Sequence, residues 1–326
     1  WYKCRSHAVP HILLDSVRTA GNDKELQPDD TTAEGGTSAD ADGYISAFTS
    51  NGFTLTEGSS GDHYTNEGNR TFVAWGWKAS GSTASNTDGT NITSTVDANT
   101  TSGFSIVSWT GDNSGSSTVG HGLGKTAEFL VIKNRADASN WQVKHKNNSS
   151  NSSQSLDATD AQSNRSGSTN GGIADLSGTT TFGFIAGSAG VPAANGSSDA
   201  MIAYVWNSVQ GYSSIGTYEG NGNADGTFIH TGFRPAWVMF KGIDAGTDWY
   251  IYDFKRRTFN VNNTALKAQG NDAEFTSGVN LFDGVSNGIK IRGNGSVVNT
   301  SGNTYIYIAF AEAPFVNSNG VPCNAR

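Results

Sequence analysis

Large apolar side chains alternate with their neighbours at a period of two through much of the chain. Phe104 and Ile106 stand against Ser105 and Val107, Trp237 and Met239 against Val238 and Phe240, and Tyr305, Tyr307 and Ala309 against Ile306, Ile308 and Phe310. That is the period of a β-strand, whose side chains point to opposite faces in turn. In FLVIK at Phe129 and TYIYIAFA at Thr304 both faces are apolar, which places these strands between two layers rather than beside water. Between them lie GDNSGSS, NGNADG, GSTNGG and NGSS, whose residues tolerate positive φ or bond their own backbone and so read as turns. The pattern predicts an all-β protein of antiparallel sandwiches with very little helix.

The pattern also repeats. GFSIVSWTGDNSGSSTVGHGLGKTAEFLVIK from Gly103 returns as GYSSIGTYEGNGNADGTFIHTGFRPAWVMFK from Gly211, with aromatic, glycine, histidine and lysine in the same order. Gly103 to Gly211 and Lys133 to Lys241 span the same distance and His121 to His230 one residue more, so one shift in a turn aligns all three pairs. Each unit continues through a polar segment at Trp141 (WQVKHK) or Trp249 (WYIYDFKR) to a glycine-aromatic strand (TFGFIAG, SNGIKIRG) and a closing strand around Ala203 or Ala309.

The amino-terminal stretch carries only the second half of this plan, as HILLDSVR, TSNGFTL and TFVAWGWKAS, with Lys3 in the place of Lys133. The expectation is a first sandwich over 1–80 whose opening strands lie upstream of this sequence, a linker over 81–102, a second sandwich over 103–210, a third over 211–315 and a tail over 316–326. Seven to ten short strands in a unit of about 100 residues suit a tandem jelly-roll or concanavalin-like sandwich, each with its own core. A propeller blade repeats at about 40–50 residues and fits less well.

Composition agrees with the pattern. A chain of 326 residues has room for two or three domains. Its 41 glycines and 15% of charged residues make poor helix, while 16 Phe, 10 Tyr and 8 Trp are enough to build cores and argue against disorder. A net charge of −8 without any Lys/Arg block argues against nucleic acid as a partner. No apolar run approaches the ~18 residues of a membrane helix, so no membrane insertion is expected. Cys4 and Cys323 near opposite ends suit neither a disulfide framework nor a zinc site.

Candidate chemistry is sparse. His121 in HGLG and His230 in HTGFRP occupy equivalent turns, and Lys133 and Lys241 equivalent strand ends, so all four read as structural positions of the repeat. His7 and His11 are four apart, but Pro10 interrupts any helix that would bring them together as metal ligands. A glycosidase needs two carboxylates across a cleft, and Glu219, Asp244, Asp248 and Asp253 have no paired counterparts in the preceding unit, where Asp253 corresponds to His145. No G-x-S-x-G elbow occurs. The expectation is therefore no catalytic residue, no metal site and no cofactor, with calcium the one ion that the oxygens of DADG (40–43) and GNGNADG (220–226) would suit. Tyr212, Tyr218, Trp249 and Tyr252 are the aromatics available to stack on a glycan or a neighbouring subunit, against the alternative that they pack the core.

The order G-[FY]-x-x-x-x-[WY]-x-G, a Gly/Asn/Ser turn, HGLG or HTGFRPAWV, and a strand ending in Lys133 or Lys241 resembles repeat domains in structural proteins of tailed bacteriophages, marine ones especially. HILLDSVR, TSNGFTL, TFVAWGWKAS and the closing AFAEAPFVNSNGVPCNAR share that resemblance. It implies a virion surface component such as a tail fibre, spike or capsid decoration, often in threefold assemblies. Its partners would be further copies of itself, other virion proteins and a host-surface glycan or protein. The second unit departs from the third by a polar insert, HKNNSSNSSQSLDATDAQSNRSGSTNGG, which reads as a variable surface loop. The function expected is thus a non-enzymatic tail fibre or spike protein on the virion that contacts the host. Capsid decoration, a polysaccharide-binding or degrading virion protein, and a bacterial adhesin or filament subunit are the alternatives.

Overall fold

The computed structural model describes residues 1–61 and 63–314; the tail over 316–326 and Cys323 lie outside them. In chain order the elements are β1 (Tyr2–Cys4), α1 (Ala39–Asp42), β2 (Tyr44–Thr49), β3 (Gly52–Thr56), β4 (Phe72–Ala74), β5 (Ala84–Asn86), β6 (Ser94–Asn99), β7 (Phe104–Thr110), β8 (Thr118–Gly120), β9 (Phe129–Asn134), β10 (Gln142–His145), β11 (Ser152–Ser155), β12 (Ser163–Asn164), β13 (Gly172–Ile173), β14 (Thr181–Ile185), α2 (Pro192–Asn195), β15 (Ala200–Trp206), β16 (Ser213–Glu219), β17 (Phe228–His230), β18 (Pro235–Gly242), β19 (Tyr250–Asp253), β20 (Thr264–Lys267), β21 (Phe275–Thr276), β22 (Phe282–Val285), β23 (Gly288–Ile291), α3 (Ser296–Asn299) and β24 (Thr304–Ala311). The fold is all-β and antiparallel, and the three helices among the described residues are single turns.

Two large sheets organise the molecule. One has eight strands in the order β12-β11-β10-β9-β15-β7-β6-β5 and the other six in the order β16-β24-β18-β19-β20-β21. From β7 to β12 the first sheet runs in the same succession as the whole of the second. Each lies over a three-stranded sheet, β13-β14-β8 and β17-β23-β22, again in matching order. The first segment adds β1-β4 and β2-β3, with bridges Tyr2 to Ile12 and Leu13 to Leu26 extending the β1 side.

The two-residue alternation sorts side chains cleanly between cores. Leu130, Ile132, Met201, Ala203 and Val205 enter the second segment's own core, while Phe129, Val131, Ile202 and Tyr204 enter a different, central one. In the third segment Val238, Phe240, Tyr305 and Tyr307 face its own core, and Trp237, Met239, Ile306 and Ile308 face the centre. The large sheets are therefore covered on both faces, as FLVIK and TYIYIAFA predict. The central core, to which the first segment also contributes Leu13, Leu26, Val73, Trp75 and Trp77, corrects the picture of sandwiches each with a separate interior.

Three further expectations need correction. The stretch 81–102 is not a linker, since β5 and β6 extend the second segment's sheet. The polar insert is not a free loop either: it contains β11 and β12 and ends at the first residue of β13, and residues 152–155 are all buried. Finally, Ile132 pairs with Ala203 and Phe240 with Tyr307, so Tyr307 rather than Ala309 occupies the place of Ala203. A two-residue slip keeps every side chain on its face, which is why the sequence tolerates either alignment.

Candidate functional site

Three junctions around the central core are the most elaborately built part of the molecule. Each centres on a buried lysine at the end of a core strand. Lys3 Nζ donates to the carbonyls of Val9 (2.6 Å) and Asn271 (2.9 Å), Lys133 to Ser139 (2.6 Å) and Thr31 (2.7 Å), and Lys241 to Thr247 and Thr159 (2.7 Å to the latter). In every case one acceptor lies six residues downstream and the other belongs to a different segment. First reaches third, second reaches first, and third reaches second, so the contacts close a ring. Burial pulls all three ammonium groups down to a pKa of about 8.

The same succession recurs in the backbone. Glu34 N donates to Arg135 O (3.0 Å), Gln162 N to Ile243 O (3.0 Å) and Glu274 N to Arg5 O (2.7 Å). Eight residues after each lysine stands a ring that reaches the neighbouring segment. Trp141 Nε1 donates to Gln27 O and Trp249 Nε1 to Ser155 O, both at 2.8 Å, while His11 fills the third place and faces the backbone of Lys267 and Gly270. Lys133 and Lys241 also sit over their tryptophan rings at 5.9 and 6.0 Å.

Beside each lysine lies a polar network, and the three differ in charge. At the first–second junction Asp15 holds Arg18 (2.6 Å), Arg18 holds Glu34 (2.7 Å), and Glu34 pairs with Arg135. At the third–first junction Asp253, Arg256, Glu274 and Arg5 form the corresponding chain. At the second–third junction the same places hold His145, Asn148, Gln162 and Ile243, joined by neutral contacts. Tyr204 Oη donates to Asp15 (2.7 Å) and Trp75 Nε1 to Asp253 (2.9 Å), tying each charged network to the central core. These networks are what the sequence reading missed. The shared spacing Asp-x-x-Arg in HILLDSVR and DFKR was the available signal.

Between the junctions a cavity of about 570 Å³ opens, lined mainly by apolar side chains that include Trp75, Trp77, Trp206 and Phe310. Trp77 meets Trp206, Trp237 and Phe310 edge-on at 6.0, 5.4 and 5.6 Å. A second, smaller and polar pocket lies against Arg5, Asp253, Arg256, Arg257, Thr264 and Glu274.

The aromatics expected to hold a glycan are placed elsewhere. Tyr218, Trp249 and Tyr252 are 6%, 1% and 0% exposed, and Tyr212 packs half-buried on Phe310. The rings of Tyr218, Trp249 and Tyr252 complete the sheet cores and present no face to a sugar, while Tyr212 keeps part of its ring at the surface. His121 is buried, and its Nδ1 accepts the Leu123 amide (3.3 Å); burial lowers its pKa to about 4. His230 is exposed, so the two histidines share a place in sequence but not an environment. Lys133 and Lys241 are buried and donate to carbonyls at the junctions.

The acidic candidates are engaged separately. Asp244 accepts from Thr304 N, Asp248 from Gln269 Nε2, and Asp253 from Trp75. In the 220–226 loop Asn221 and Asn223 bond the backbone two residues on, and Asp225 pairs with Lys290, so these oxygens satisfy the loop itself. Within DADG, Asp40 accepts from Asn22. Among the described residues no group of three or more His, Cys, Asp or Glu is placed to hold a metal ion, and Cys4 is a buried thiol.

Fold and junctions together define a sandwich-type β protein whose three segments lock head to tail around one interior. A family model for the domain of unknown function DUF7483 matches residues 1–314, and the chain belongs to that family. No curated protein and no solved structure matches it.

Proposed function

We propose that this is a non-enzymatic structural protein of a tailed-bacteriophage virion, a tail fibre or spike component that contacts the host surface. The reading is carried by the ring of junctions: the same lysine clamp and the same amide bond occur three times, each joining one segment to the next. We take the three segments to be repeats about a pseudo-threefold axis. Such a ring resists pulling apart because separating any segment breaks two of the three junctions. The exterior loops are rich in Ser, Asn and Gly, which suits receptor contact multiplied by avidity.

The test is labelled antibody against this protein on purified particles. Label at the tail tip supports the proposal, label over the head lattice replaces it with capsid decoration, and unlabelled particles refute both. Incubation with host polysaccharide bears on the enzymatic alternative, since release of new reducing ends would overturn the non-enzymatic reading.

A further inference from the structure

In the second and third segments the closing strand is paired on both edges. β15 lies between β9 and β7, and β24 between β18 and β16. Their small sheets match: β14 lies between β13 and β8, and β23 between β22 and β17. In the first segment the corresponding strands have one partner each among the described residues, β4 pairing with β1 and β3 with β2. The correspondence follows from register, because Tyr2 faces Ala74 as Ile132 faces Ala203.

These two open edges border the same space. The large cavity reaches both, touching Phe53 of β3 and Trp75 and Trp77 just beyond β4, and Phe48 and Phe53 are 45% and 38% exposed. In the second segment the equivalent space is filled from β7, which sends Phe104 and Ile106 to the central core and Val107 and Trp109 to the segment's own. An unpaired edge beside exposed aromatics is a template for strand addition, in which main-chain bonds give affinity and alternate side chains fill the pockets.

We infer that β3 and β4 form a strand-acceptor groove, and that its occupant is a polypeptide segment carrying the pattern of Phe104–Gly120. Chain order selects where such a segment attaches. β7 and β8 run immediately ahead of β9, and β16 and β17 ahead of β18, so the strands that complete a segment precede the strand corresponding to β1. The inference concerns assembly of the fold and does not depend on the virion reading.

The test joins a copy of Gly103–Leu130 directly to Trp1, the register that places the copied strand beside β4. Its control is the same fusion with serine at the copies of Phe104, Ile106, Val107 and Trp109. The expected result is a rise of several degrees in the unfolding midpoint over both the control and the unfused chain, with loss of apolar-dye fluorescence and sedimentation as a single copy. A fusion no more stable than its control overturns the inference. So does an unfused chain that is already a dimer and is separated by Phe53→Asp, since a second copy would then occupy the edge. Should the fusions not fold, a free Gly103–Gly120 peptide added to the unfused chain decides the matter: one-to-one binding that the serine-substituted peptide lacks supports the groove, and equal or absent binding refutes it.

Discussion

The second–third and third–first junctions perform the same mechanical task with opposite chemistry. Both clamp a buried lysine on two carbonyls and both pass one amide bond between segments. Beside that shared frame, one carries the ionic chain Asp253, Arg256, Glu274 and Arg5, the other the neutral His145, Asn148, Gln162 and Ile243. The contrast predicts that the backbone frame is what joins the segments and that the side chains beside it are interchangeable as complete sets. They are not interchangeable one at a time, because a lone buried charge cannot find another partner.

The largest effect expected from breaking this comparison is at Arg18. Its side chain is 1% exposed and holds Asp15, Glu34 and the carbonyl of Lys24. Arg18→Met should cost about 3–5 kcal/mol in urea unfolding, since it strands buried carboxylates, whereas Asn148→Ala at the neutral junction should cost about 1–2 kcal/mol through lost neutral hydrogen bonds. Equal costs would remove the distinction between charged and neutral junctions.

Next comes the clamp itself. Lys241→Met keeps most of the volume but leaves the Thr159 and Thr247 carbonyls without their ammonium donor, at about 2–3 kcal/mol. Lys3→Met and Lys133→Met should cost a similar amount if the three clamps are equivalent, and unfolding midpoints of the three variants decide it.

Much of this frame was legible in the chain and much was not. Alternation across Leu130, Val131 and Ile132 fixed the strand and its two apolar faces, and the recurrence of Lys3, Lys133 and Lys241 marked one position in each segment. Alternation is silent on which layer covers a face, however. Tyr252 and Trp249 sit in WYIYDFKR, where aromatic and charged residues adjoin, and look as suited to a surface as to the two cores that bury them. Glu274 and Arg5 lie almost the whole chain apart, so nothing local announces that they meet. The insert misled for the same reason: Ser155 and Thr159 act through backbone carbonyls, which composition does not record.

Acid should find the neutral junction through His145. Burial holds its folded pKa down at about 3, against about 6.5 for an exposed histidine. Between those values the unfolded chain binds a proton that the folded protein refuses, so this histidine's contribution to stability falls as pH drops below about 6.5 and stops falling near 3. At pH 5 the loss amounts to about 2 kcal/mol, taking 1.36 kcal/mol per unit below 6.5. His145→Asn should flatten that part of the pH profile relative to the parent. Stability of the two proteins measured at pH 7 and pH 5 would show parallel curves if the ring were not responsible.

The smallest expected effect is the most discriminating. Replacing Asp253, Arg256, Glu274 and Arg5 together by the neutral set, as Asp253→His, Arg256→Asn, Glu274→Gln and Arg5→Ile, copies one junction onto another without touching Lys3 or its acceptors. Buried ion pairs often contribute little over neutral groups of similar shape, because desolvation offsets their attraction. Trp75 Nε1, which donates to Asp253, needs an acceptor in the variant, and an unprotonated imidazole nitrogen at position 253 is of the right kind. The fourfold variant should therefore unfold within about 1 kcal/mol of the parent, while Arg5→Ile or Glu274→Gln alone should cost more than the four combined. Such non-additivity is the signature of residues acting as a set. If the four costs simply sum, the junctions are not equivalent frames with exchangeable fillings, and the likeness between them stops at the backbone.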